Sequence, residues 1–197
     1  MKKSPAQAFL RPAVLTLCGP LLLPLPASAE VEADAARPWW QPTSAFVQAG
    51  AAEHANAAVL GLTWDWSWHH DVGWGRFTGY WEVSFGRWAS DAGGSSAHAW
   101  VTQVGITPVL RLYPGGGDTG WFGELGIGAN LLLPIYRSDD KRFSTKFNFG
   151  DHLAVGRRFG ERGAHEVALR LQHFSNAGIK DPNPGEDFLQ LRYGYRF

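Results

Sequence analysis

The chain has almost no sulfur and little charge. Of its 197 residues one is Cys and one is Met, and only 18% are Asp, Glu, Lys or Arg. A single cysteine excludes an intramolecular disulfide framework and a cysteine-ligated metal site. A bundle of membrane-spanning helices would need several apolar runs of about 20 residues. None of that kind is present, and the mean hydropathy of −0.20 agrees. Balanced charge, 18 cations against 18 anions, offers nothing to attract nucleic acid. What abounds is Gly (24), Phe (12) and Trp (10), a mix poor in helix formers and rich in strand and turn residues. So many aromatics also exclude disorder.

The N-terminus reads as a signal peptide. Lys2, Lys3 and Arg11 precede and flank an apolar stretch that ends in Ala27-Ser28-Ala29, the small-x-small pattern at which signal peptidase cuts. The expected division is therefore residues 1–29, removed on export, and a mature domain over 30–197. Cys18 lies inside the leader, and the bulky Leu17 before it does not suit a lipoprotein cleavage site. Losing three cations and no anion leaves 168 residues with a formal charge of −3.

The mature sequence alternates. Leu60, Leu62, Trp64, Trp66 and Trp68 share one face of a strand, with Thr63, Asp65 and Ser67 on the other. The same period recurs over Arg76–Phe85, Trp100–Leu112, Trp121–Leu133, Phe143–Val155, Glu166–Gln172 and Leu189–Phe197, with a weaker first strand over Ala45–Ala52. In the Phe143–Val155 window Asp151 breaks the rule, falling on the face of Phe147, Phe149, Leu153 and Val155. Gly, Pro, Asp and Ser clusters separate the windows. The prediction is an all-β, eight-stranded antiparallel up-and-down barrel.

Two barrels fit that count: a soluble lipid carrier with an apolar interior, and a transmembrane β-barrel with an apolar exterior. The polar face, rich in Gly and small residues, suits a tight filled interior, while the apolar face carries bulky Trp, Phe and Leu. Trp68, Trp74, Trp88, Trp100 and Trp121 fall at strand ends, as interfacial girdles require. The closing run Leu189–Phe197, with aromatics at every second position and a terminal Phe, resembles the end of bacterial outer-membrane barrels. The membrane barrel is expected.

Residues 173–187 carry the chemistry. His173 and Ser175 are two apart on a strand, so they point the same way, as a base beside a hydroxyl nucleophile must. They share the phase of Val167, Leu169 and Leu171, and a His and a Ser facing lipid are costly without a role. Asp187 is in phase with Leu189 and Leu191 and faces the same side; Glu186 has the opposite parity. No Gly-x-Ser-x-Gly elbow is present, which excludes an ordinary α/β-hydrolase.

This run, His173, Ser175, Asn176 and Ala177, then Asn183, Gly185 and Asp187, resembles the PagL family of outer-membrane lipid A deacylases. The motif covers about 15 residues and the barrel pattern nearly all the mature chain. The resemblance implies Ser175 as nucleophile, His173 as general base and then acid, and an acidic residue that orients the imidazole. It also implies an oxyanion site from Asn183 with backbone N–H groups near Asn176 or Ala177. The family usually has Glu at the acidic position, where this chain has Asp187 with Glu186 beside it; strand parity favours Asp187. The implied substrate is lipid A of lipopolysaccharide, at its 3-position hydroxyacyl ester, and the implied location is the bacterial outer membrane. No cofactor or metal is expected.

Other features read more plainly. His69-His70-Asp71 is a short exposed turn rather than a metal site, the Trp64–Trp68 row an anchor, and Arg137–Arg142 a solvated loop. Gly115-Gly116-Gly117 lacks the Lys and spacing of a phosphate loop. The competing function is a non-enzymatic barrel, either an outer-membrane stability or adhesion protein or a soluble lipid carrier.

Overall fold

The computed structural model describes residues 38–91, 98–117 and 120–197. The expected signal peptide, with Cys18, lies outside them. Eight strands follow in order: β1 (Ser44–Ala51), β2 (Ala55–Val72), β3 (Gly75–Asp91), β4 (His98–Pro114), β5 (Gly120–Leu133), β6 (Phe147–Phe159), β7 (His165–Ser175) and β8 (Glu186–Arg196). Each pairs antiparallel with the next, and β1 pairs with β8 to close the barrel. Closure removes the unpaired edges that would otherwise expose backbone N–H and C=O groups.

Ser44 lies opposite Arg196, so the start of β1 and the end of β8 share one end of the barrel. Connections there are short, at 73–74, 115–119 and 160–164. The opposite end carries the two longest connections, 134–146 and 176–185.

The outward face is predominantly apolar. Leu60, Val83, Phe85, Ile106, Leu125, Ile127, Leu153, Leu169, Leu171 and Leu191 are all exposed on it. At roughly half exposure each is worth about 1 kcal/mol when lipid rather than water covers it. The inward face holds Glu82, Arg111, Glu124, Arg170 and Arg192, all buried. A soluble carrier needs the reverse arrangement, so that alternative fails and the expected membrane barrel stands.

Two local expectations are corrected. The strand expected from Phe143 begins at Phe147. Phe143 is instead buried in the preceding loop, packed edge-on against Tyr136 with ring centroids 5.0 Å apart. Trp88, expected in an interfacial girdle, is 0% exposed. It shares the inward phase of Tyr80, Glu82 and Ser84 and so enters the barrel.

The filled interior has three levels. At the long-loop end Trp88 packs against Phe174 and Phe188, each 4.7 Å away between centroids, and against Tyr136 at 5.6 Å. Below them is a band of amides: Gln48 donates to Gln190 at 2.7 Å, and Gln103 donates to Asn130 at 2.8 Å while accepting from the Trp88 indole at 3.1 Å. Lowest is an ion network. Arg170 bridges Glu82 and Glu124 at 3.0 and 3.1 Å, Arg192 reaches Glu82 at 2.5 Å, and Arg111 joins Glu124 to Glu166 at 2.7 and 2.6 Å.

Candidate active site

Strand alternation builds the site. The end of β7 reads Gln172-His173-Phe174-Ser175 and the start of β8 reads Glu186-Asp187-Phe188. Phe174, Glu186 and Phe188 turn inward and are buried; His173 and Asp187 turn outward. The aromatic plug therefore fixes, from behind, the two strands whose outward residues form the site.

His173 and Asp187 are directly opposed across β7 and β8. Nδ1 of His173 donates to Asp187 Oδ1 at 2.7 Å. A carboxylate only accepts, so this contact keeps the proton on Nδ1 and leaves Nε2 able to take one. Gly185 adjoins the same ring: its φ is +70°, and a Cβ there would meet His173 Cε1 at 2.6 Å. A side chain at 185 would push the imidazole away.

Glu186 faces the other way. It is 1% exposed, accepts from Tyr136 Oη at 2.7 Å and from Lys141 Nζ at 3.0 Å. Burial, reinforced by the Glu186 carboxylate, holds the Tyr136 phenol above its ordinary range, so it remains a donor at neutral pH. Of the two acids left open by the sequence, only Asp187 reaches the imidazole.

The 176–185 loop is pinned by Asn176, which is 1% exposed. Its Nδ2 donates to Ser144 Oγ at 3.0 Å and Lys180 O at 2.7 Å, and its Oδ1 accepts from Gly178 N–H at 3.0 Å. The backbone N–H of Asn176 donates to Asn183 Oδ1 at 2.9 Å. That N–H was an expected oxyanion donor; the structure commits it to fixing Asn183 instead. With Oδ1 so engaged, the Asn183 amide has a set orientation and its NH₂ is turned away from Asn176. Ala177 adopts φ +53°, a left-handed conformation that non-glycine residues seldom take. Its N–H points at Ser175 Oγ, 3.4 Å away.

Sequence reasoning missed Ser144, Tyr136 and Lys141, which lie on a different loop and carry no motif. Ser144 also donates to Lys180 O at 2.7 Å, tying the 134–146 loop to the 176–185 loop. Among the described residues no group of three or more His, Cys, Asp or Glu side chains gathers as a metal ion requires. His69, His70 and Asp71, expected in a turn, instead belong to the end of β2, opposite Thr78, Phe77 and Arg76; both His are exposed, and Asp71 pairs with Arg76 at 2.6 Å.

Beside His173 and Asp187 runs an open groove of about 730 Å³ on the outer wall, lined by Ile127, Leu153, Leu171 and Leu189 among others.

The model of the lipid A 3-O-deacylase family, PagL, matches residues 55–196. The chain belongs to that family. It is 36% identical over 161 residues to the lipid A deacylase PagL of Bordetella bronchiseptica, covering 80% of this chain and 86% of the relative. To the lipid A deacylase PagL of Pseudomonas aeruginosa it is 33% identical over 139 residues, 68% of this chain and 74% of the relative. The crystal structure of the outer membrane enzyme PagL superposes with a TM-score of 0.68 at 29% identity, covering 78% of this chain and 99% of that one. The PagL match spans seven of the eight strands, β2 to β8, and includes every residue of the site described above.

Proposed function

We propose that this chain is an outer-membrane serine esterase that removes the ester-linked 3-position hydroxyacyl chain of lipid A. The observation that carries the reading is the 2.7 Å bond from His173 Nδ1 to Asp187, two residues from Ser175 on the outward, apolar wall. Membership of the PagL family supports the substrate.

Ser175 Oγ attacks the ester carbonyl carbon while His173 Nε2 takes the hydroxyl proton. The Asp187 carboxylate stabilises the imidazolium so formed. Negative charge on the carbonyl oxygen is met by the Asn183 amide NH₂ and by the Ala177 N–H, which exchanges its long contact with Ser175 for the oxyanion; one such donor is worth about 3 kcal/mol. The tetrahedral intermediate collapses, the C–O bond to the sugar breaks, and His173 returns its proton to the sugar oxygen. Water then attacks the acyl-serine with His173 again as base, releasing a free fatty acid and restoring Ser175.

The site sits at the long-loop end, opposite the start of β1 and the end of β8. With both termini periplasmic, that end reaches the outer leaflet, where lipopolysaccharide resides. The groove beside His173 offers an acyl chain an apolar path along the wall. Mass spectrometry of lipid A from cells expressing wild type or Ser175→Ala tests the reading: one hydroxyacyl chain is lost with wild type only. Full deacylation by Ser175→Ala would overturn it.

A further inference from the structure

A second carboxylate stands beside His173, and the mechanism does not use it. β6 places Asp151 directly opposite His173 and Phe149 opposite Ser175, as β8 places Asp187 opposite His173 on the other side. The imidazole thus lies between two aspartates on the outward face. Only Asp187 reaches a ring nitrogen. Asp151 Oδ1 is buried and has no hydrogen-bond partner among the described residues. Asp151 lines the same outer groove, among Ile127, Leu153 and Leu171.

A carboxylate on a lipid-facing wall with one oxygen sealed and unpaired is costly, and nothing in the barrel's packing requires it. Phe147, Phe149, Leu153 and Val155 occupy the same face of β6, so an apolar residue would continue the row. The donor that Asp151 lacks must come from outside the chain. Asp151 and Ser175 are diagonal cross-strand neighbours, roughly 7–8 Å apart at the backbone. An acyl chain whose carbonyl carbon sits on Ser175 Oγ and whose tail enters the groove passes its β-carbon, two bonds on, across that gap.

We propose that Asp151 accepts a hydrogen bond from a hydroxyl on the β-carbon of the acyl chain and so selects hydroxylated esters. The inference rests on Ser175 being the nucleophile. It makes Asp151 a specificity-determining residue: a hydroxylated chain satisfies the sealed oxygen, whereas a plain chain leaves it unpaired and loses that much in the transition state.

The test uses the full barrel in detergent micelles and two p-nitrophenyl esters, 3-hydroxytetradecanoate and tetradecanoate, identical but for the β-hydroxyl. Wild type is expected to favour the hydroxylated ester by about 10- to 100-fold in kcat/KM. Asp151→Leu, which suits the lipid-facing row and should not impair folding, is expected to bring the ratio close to 1 by slowing the hydroxylated ester. Asp151→Asn, which keeps a carbonyl acceptor, is expected to retain part of the preference. A wild-type ratio near 1, or an unchanged ratio in Asp151→Leu, overturns the proposal. Ser175→Ala separates the two levels: if it still turns over both esters, the reading of the nucleophile fails, whatever Asp151 does.

Discussion

The two ends of the barrel interior solve the same problem with different chemistry. Near the short turns, Glu82, Glu124 and Glu166 are neutralised by Arg111, Arg170 and Arg192, and the network touches no residue of the candidate site. Near the long loops, the filling is aromatic, and Phe174 and Phe188 are the chain neighbours of His173, Ser175 and Asp187. Charge in the lower half holds strands together at any outward sequence. Rings in the upper half hold two particular strands in the register that the site needs. Stability and activity should therefore separate in the lower half and move together where the aromatic layer of the upper half is disturbed, while the polar residues on the two faces of β8 remain separable.

The sharpest break lies between two adjacent residues. Asp187→Asn keeps the shape of the outward pair but removes the charge that opposes the imidazolium. We expect kcat to fall by about 10⁴-fold, roughly 5 kcal/mol, with no change in urea midpoint. Glu186→Gln, one position along and facing inward, should do the reverse, weakening the Tyr136 and Lys141 contacts while leaving most of kcat. Equal losses from both variants would show that the two faces of β8 are not independent.

Replacing Glu82 by Ala strips Arg170 and Arg192 of a buried partner. The expected cost is about 3–5 kcal/mol in unfolding free energy, because two guanidinium groups lose compensation. Activity per folded molecule should stay within twofold. Trp88→Ala should cost a similar 3–5 kcal/mol by opening a cavity, but here kcat should also drop, because Phe174 and Phe188 lose the ring they pack on. Urea titration alongside deacylation rates in micelles distinguishes the two variants. A Trp88→Ala barrel with unaltered kcat would remove the functional meaning of the aromatic layer.

Much of this was legible in the sequence because a barrel strand has a period of two and its two faces see different solvents. Parity alone placed His173, Ser175 and Asp187 on one side and Glu186 on the other. It failed where long-range packing decides. Trp88 has the composition of an interfacial residue and the phase of an interior one, and phase wins. Phe143 continues an apolar rhythm into a loop, where it folds over the barrel mouth onto Tyr136. The ion network was invisible for a different reason: spacing shows that Glu82 and Arg170 face inward but not that residues 88 apart meet at 3.0 Å.

The weakest predicted effect tests how far the upper half extends. Ser144 belongs to the 134–146 loop, outside the motif, yet its hydroxyl accepts from Asn176 Nδ2 and donates to Lys180 O. Ser144→Ala removes both bonds without disturbing the barrel or the aromatic plug. Asn176 would keep its bonds to Lys180 O, Gly178 N–H and Asn183 Oδ1, so the loop should loosen rather than collapse. The expected cost is about 1 kcal/mol, read as a roughly fivefold drop in kcat. On the proposed mechanism the drop should appear in kcat more than in KM, because there the loop positions Asn183 for the oxyanion, and neither loop lines the groove beside His173. An effect confined to KM would instead assign the 134–146 loop to substrate capture, and the region that governs catalysis would end at β7 and β8.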